Sequence, residues 1–195
     1  MSRTTAGKSD RTRRRILGAA ATAFRKHGVD QVGVRDVMKR AGLTRGGFYF
    51  HFADKDALLA EAMREAARSN ASTHVSWAER APEGRKLQAC VEGYLSEEHR
   101  DHPELGCLVA ALGGEIGRAK ARHRIAFTEA IDVTIERIAS YLPGATPAEC
   151  RARAELLVSS MAGVLMASRA ISDRTRSDAL LAAARDFYSK SFGGA

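Results

Sequence analysis

Hydrophobic positions along this chain recur at three- and four-residue steps, the spacing that puts them on one face of an α-helix. Ile16, Leu17, Ala20, Ala23 and Phe24 form the first stripe. Asp10 can cap its start, and Gly28 can end it in the left-handed conformation that glycine tolerates. Val34, Val37, Met38 and Ala41 predict a short second helix over 34–41, ended by Gly42. Leu43 and Thr44 then turn the chain, Thr44 caps, and a third short helix follows over about 45–51. Asp54 caps a long fourth helix with Leu58, Leu59, Ala62, Met63 and Ala66 on one side, carried past Trp77 to a stop near Pro82.

The same period continues to the C-terminus. Leu87, Val91, Tyr94 and Leu95 mark a fifth helix, broken by 99-HRDHPELG-106. Cys107, Leu108, Ala111 and Leu112 start a sixth. Phe127, Ile131, Ile135 and Ile138 mark a seventh, closed by Pro143 and Gly144. Pro147 opens an eighth with Leu156, Leu157, Met161 and Val164, and Ala179, Leu180, Ala183, Phe187 and Tyr188 mark a ninth. The expected fold is all-α with about nine helices. Its organisation is a flexible basic arm over 1–9, a helix-turn-helix domain over 10–53, and a larger helical domain over 54–195.

Charge sharpens this division. Residues 1–56 hold 13 Lys/Arg against 5 Asp/Glu, and residues 57–195 hold 18 of each, so the whole net charge of +8 sits in the first segment. A basic module joined to a neutral one points to a nucleic-acid partner for the first. The three cysteines, Cys90, Cys107 and Cys150, are widely spaced and form no disulfide or zinc pattern, which fits a cytoplasmic protein. The stretch 11-RTRRR-15 before 16-ILGAAATAF-24 imitates a signal peptide, but the apolar run is diluted by alanine and belongs to an amphipathic helix. No apolar run reaches the roughly 20 residues that span a bilayer. No P-loop, nucleophile elbow, dinucleotide fingerprint or metal-protease motif occurs, so neither an enzyme nor a cofactor is expected.

Two adjacent glycines in 44-TRGGFYFHF-52 are at odds with a helix, where each costs about 1 kcal/mol relative to alanine. The plainer reading is a loop beside a small aromatic core. A helix-turn-helix gives them a purpose, because its second helix enters the major groove. At 100° per residue Phe48 and Phe52 share a face for packing, while Gly46, Gly47 and Phe50 lie opposite. Bare glycines then let the backbone approach DNA closely. Thr44 and Arg45 open the element, and Arg45 reaches guanine O6 and N7. Tyr49 and His51 bond phosphates, Phe50 meets a thymine methyl, and Arg35 and Lys55 clamp the backbone without reading sequence.

Residues 12–63 resemble the DNA-binding domain of the TetR family of one-component bacterial regulators. The first helix ending at Gly28 and the string 34-VRDVMKRAGLTRGGFYFHFADKDALL-59 carry the resemblance. The sequence departs from the family at Phe50, where many members have His or Trp, and in the double glycine, which only some branches carry. The resemblance implies a homodimer joined through the last two helices, bound to a palindromic operator in double-stranded DNA. It also implies a small-molecule effector that shifts the long fourth helix and so releases the DNA. Trp77, His74, Tyr94, Met63, Phe127 and Met166 either line that effector's cavity or are plain core.

Cys107 opens a helix after 103-PELG-106, where the helix dipole favours a thiolate, and His99, Arg100 and His102 are close in sequence. Some relatives with a similar Gly-Cys-Leu entry respond to electrophiles or oxidants, so Cys107 is either a sensor thiol or an inert buried one. His99, Asp101, His102 and Cys107 lack the spacing of a metal site. Two functions remain: a sequence-specific regulator, chiefly a repressor, or a non-specific architectural DNA-binding protein.

Overall fold

Gly28 and Gly42 adopt φ values of 81° and 65°, and these end the first two helices and turn the chain. The computed structural model describes residues 3–144 and 146–192, with side chains described for all of these except 3–6 and 69–75. Its α-helices are α1 (Arg3–His27), α2 (Val34–Arg40), α3 (Lys55–Glu79), α4 (Lys86–Tyr94), α5 (Glu97–Asp101), α6 (Leu108–Ile116), α7 (Ala121–Ala139), α8 (Pro147–Ala170) and α9 (Arg174–Phe192). Two 3-10 segments, Arg45–Phe50 and Pro103–Leu105, complete an all-α fold with no strand among the described residues.

Three expectations change. The first helix starts at Arg3 rather than Asp10, so the segment expected as a flexible arm over 1–9 is helical from Arg3 onward. The recognition element over Arg45–Phe50 is a 3-10 helix, tighter than the α-helix expected. The stretch 99–106 is not a plain break. Ser96 caps the short α5 by accepting from the His99 N–H, and a 3-10 turn follows from Pro103. Other local signals act as read. The Leu43 N–H reaches back to the Met38 carbonyl at 2.9 Å to close α2, and Asp54 caps α3 by accepting from the Ala57 N–H at 2.7 Å. Thr146 and Glu149 form a reciprocal capping box ahead of α8, with Pro147 in its first turn.

The apolar stripes bury into two cores. The first gathers Ile16, Phe24, Met38, Phe48, Leu58 and Met63 from α1, α2, the recognition segment and α3, and continues into Leu112 and Ile116 of α6 and Ala126 and Ala130 of α7. Each fully buried Phe, Leu, Ile or Met contributes about 1.5–3 kcal/mol. The second core joins α4, α8 and α9 with the C-terminal half of α7, around Tyr94, Leu95, Ile138, Leu157, Met161 and Leu181. Helix α3 therefore leaves the recognition segment with its first half inside the first core. A chain boundary at 53/54 does not coincide with a core boundary, because α6 and α7 close the core of the basic module.

Candidate nucleic-acid interface

The recognition segment is held by two rings and exposes two others. Phe48 is 0% exposed and stacks on Phe52, their centroids 5.7 Å apart. Tyr49 is 67% exposed and Phe50 81%, and Phe50 lies nearly perpendicular to the His51 ring, their centroids 5.3 Å apart. Two exposed aromatics of this size on a short element give up burial that a core position would supply. The sequence reading of Phe50 as an outward-facing residue agrees with this placement.

The glycines divide. A Cβ at Gly46 would meet nothing within 4 Å, whereas one at Gly47 would lie 3.8 Å from Met38 Cε. Gly47 is therefore turned towards α2 and half-buried, not bare and outward as expected. Neither glycine has a positive φ. At Gly46 nothing among the described residues, in backbone angle or in space, calls for the absence of a side chain.

The cations around the segment fall into two kinds. Arg35 and Arg45 are exposed and occupy the first turns of α2 and of the recognition segment. The helix dipole disfavours a cation there, so neither is placed for the stability of its own helix. With Lys39, Gly42, Leu43 and Thr44 they line a shallow open depression. Thr44 holds the N-cap position but its side chain makes no capping bond. Lys55 differs from the expected free clamp: its Nζ donates to the Val29 carbonyl at 2.7 Å. Arg13 lies against Phe52, its guanidinium 4.8 Å from the ring, and pairs with Glu61.

Away from the basic surface, Trp77, Tyr94 and Cys107 converge on His99. The His99 ring packs edge-on to Tyr94 at 4.8 Å and lies 6.2 Å from Trp77, and its Nε2 accepts from the Cys107 N–H at 2.9 Å. Gly106 makes room for this ring, since a Cβ there would fall 2.5 Å from His99 Nε2. Cys107 is 4% exposed. Burial lowers the pKa of Arg25 and of Arg169. Burial alone pushes the Cys90 thiol up to about 12.

Other expected neighbours go elsewhere. Arg100 turns to α9, donating to Ser177 Oγ at 2.8 Å and pairing with Asp178, and His102 is exposed beside Glu104. Phe127 and Met63 belong with the first core and Met166 is exposed on α8, so the six proposed cavity residues do not form one lining. His74 lies outside the residues whose side chains are described.

Sequence reading missed Arg25, Glu115 and Arg169. Arg25 donates to the Gly106 carbonyl at 3.0 Å, Arg169 donates to the carbonyls of His99 and Arg100 at 2.8 and 3.0 Å, and Glu115 accepts from the Val29 N–H at 2.8 Å. Their partners are distant in sequence, so no helical period marks them. Only Gly28, beside Glu115, gave a local sign.

Residues 16–62 match the TetR family of bacterial regulatory proteins. The A-factor receptor protein of Streptomyces griseus is 35% identical over 82 residues, which cover 42% of this chain and 27% of the receptor. The HTH-type transcriptional regulator AcrR of Shigella flexneri is 39% identical over 61 residues, or 31% of this chain and 28% of AcrR. These alignments thus span little more than a quarter of either relative. Among solved structures, the reduced form of NemR from E. coli superposes with a TM-score of 0.74 at 17% identity, covering 93% of this chain and 97% of NemR. A TetR-family regulator from Cytophaga hutchinsonii superposes with a TM-score of 0.75 at 20% identity, covering 94% and 96%. The likeness in fold runs the length of the chain, while the likeness in sequence is concentrated near the N-terminus.

Proposed function

We propose that this chain, which belongs to the TetR family of bacterial regulatory proteins, is a cytoplasmic repressor that binds a palindromic operator as a homodimer and is released by a small-molecule, electrophile or oxidant signal. Members of the family are non-enzymatic DNA-binding regulators. The observation that carries the DNA reading is Gly46: a residue without a side chain, on an exposed helical turn, for which the chain itself gives no reason. Close approach of a groove wall supplies one. In this reading Arg45 reaches a base edge, Phe50 lies against a thymine methyl, and Tyr49, His51, Thr44 and Arg35 bond the phosphates. Lys55 keeps two ammonium donors after its bond to Val29 and can add a phosphate contact.

Support for the dimer comes from the outer faces of α8 and α9, where Leu156, Met166 and Phe187 are exposed. A second copy related by a two-fold axis would cover them and present two recognition segments about one DNA turn apart. Among the described residues no helix is long and apolar enough to cross a membrane. Support for a sensor at Cys107 comes from its position at the N-cap of α6, the positive end of that helix. Trp77 and Tyr94 flank the same place through His99. Phe127, with the other core, takes no part.

The test is selection of bound duplexes from a random library, followed by footprinting and salt titration. A repressor of this kind yields a palindrome whose protection survives salt that strips non-specific complexes. Arg45→Ala is then expected to cost about 1–3 kcal/mol and to relax one base position. Uniform, sequence-independent protection would instead identify an architectural DNA-binding protein.

A further inference from the structure

The backbone of Val29, just past the end of α1, is gripped from both sides. Its N–H donates to Glu115 Oε2 of α6 at 2.8 Å, and its carbonyl accepts from Lys55 Nζ at 2.7 Å. Lys55 is the first residue of α3, and only 51–54 separate it from the recognition segment. The path Glu115–Val29–Lys55 therefore runs from α6 to the base of the DNA reader through two charge-assisted hydrogen bonds.

The local cost of this arrangement argues that it is not simply a helix stop. A carboxylate beside the C-terminal end of α1 faces the negative pole of that helix. The carboxylate occupies space that a side chain at residue 28 would take: a Cβ there would fall 2.6 Å from Glu115 Oε1. Gly28 thus serves two ends, the positive φ of the turn and the seat of the carboxylate. Gly28 N–H already bonds the Phe24 carbonyl at 2.8 Å, so the stop is made without Glu115.

We propose that Glu115 is a positioning residue for operator binding, which sets the recognition segment through the Val29 backbone and Lys55. This rests on the DNA-binding function proposed above. Glu115 itself touches no DNA. It anchors the Val29 N–H, the carbonyl of the same residue holds Lys55, and Lys55 holds the junction from which the recognition segment extends. Because Glu115 stands on α6, any displacement of that helix moves the grip on Val29 and loosens the DNA reader.

The experiment measures affinity for the library-selected duplex by fluorescence anisotropy, for the full chain and for Glu115→Ala, Glu115→Gln, Glu115→Asp, Lys55→Met and the double variant Glu115→Ala/Lys55→Met, at several salt concentrations. Glu115→Ala is expected to weaken binding roughly tenfold, the scale of one charge-assisted bond. Its salt slope should match the parent, because no phosphate contact is removed. Glu115→Gln, which still offers an oxygen to the Val29 N–H, should recover most of the affinity. Glu115→Asp keeps the charge but withdraws it by one methylene, and should behave like the alanine variant.

In the Lys55→Met background, Glu115→Ala should change affinity by less than about twofold, since the path is already cut. Parental affinity in the alanine or aspartate variant, a glutamine variant as weak as alanine, a changed salt slope, or effects of Glu115 and Lys55 that multiply independently would each overturn the proposal. If the alanine variant does not fold, the aspartate and glutamine variants decide the matter by the same readout. If the parent binds no duplex, the proposed function falls and the role of Glu115 falls with it.

Discussion

The backbone N–H of Cys107 donates to Nε2 of His99 at 2.9 Å, and Nδ1 of the same ring lies 2.6 Å from the Tyr94 carbonyl. A carbonyl only accepts, so Nδ1 carries the proton, Nε2 is bare, and the ring is neutral. Burial, with the charges of Arg169 and Arg25 nearby, lowers the His99 pKa to about 4. The unfolded chain takes up this proton near its ordinary value of about 6.5. Unfolding therefore binds a proton between these values. The stability that His99 contributes is complete above about pH 6.5 and is lost as pH falls towards 4, by ~3 kcal/mol at the bottom of the window. Urea midpoints across this range should fall, and the His99 ring should show no titration by NMR above about pH 5 in the folded protein. A folded-state titration near 6.5 would refute the assignment.

Replacing Gly46 by alanine separates folding from binding. The substituted Cβ meets no atom of the described residues within 4 Å, and the backbone angle is not left-handed. Thermal denaturation should therefore show the variant more stable, by about 0.5–1 kcal/mol, from reduced freedom in the unfolded state. Operator affinity should fall at the same time. A variant that gains stability and keeps full affinity would remove the central support for DNA contact at this turn.

Phe48 and Phe50 are two residues apart and should behave oppositely. Phe48→Ala empties the centre of the first core and should cost about 3–5 kcal/mol in chemical denaturation. Phe50→Ala, at an exposed position, should change stability by less than about 0.5 kcal/mol while weakening the operator complex. Equal operator binding by Phe50→Ala and the parent would mark that ring as incidental.

The cysteines should differ in chemistry. Cys90, with its thiol pushed up to about 12, is expected to stay unmodified by a maleimide at neutral pH. If Cys107 is the sensor, mass mapping should find it labelled in folded protein, operator release should follow the labelling, and Cys107→Ser should not respond. Release that persists unchanged in Cys107→Ser would assign the signal elsewhere.

The proposed dimer can be read from mass in solution. Phe187→Glu and Leu156→Glu place charges on exposed apolar positions, where the isolated chain loses little. Light scattering should show the parent at twice the mass of these variants, and operator affinity should drop with the loss of pairing. A monomeric parent would exclude pairing through α8 and α9.

What was legible in the sequence was local. Gly28, Gly42, Asp54 and Pro147 mark helix ends through their own backbone preferences, and the spacing of Phe48, Phe52 and Phe50 separates an inner face from an outer one. What was hidden depends on partners far along the chain. Arg25, Glu115 and Arg169 read as surface charges on amphipathic helices, yet each bonds a backbone group 70 to 86 residues away. Lys55 looked like a free clamp for the same reason, because nothing near it in sequence announces the Val29 carbonyl. The recognition segment was expected as an α-helix because its tight winding has no hydrophobic signature of its own.

The continuity of the first core bears on how such a regulator can be rebuilt. A hybrid made by cutting at the start of α3 and attaching another sensor would strip Leu58, Leu59 and Met63 of α3, and with them Leu112, Ile116, Ala126 and Ala130, from the packing around the DNA reader. The smallest portable unit is discontinuous: the basic module together with the first half of α3, α6 and the first half of α7. Grafts that carry these helices across should fold and recognise their site, whereas grafts joined at the start of α3 must supply a foreign surface that refits the exposed apolar side of α1.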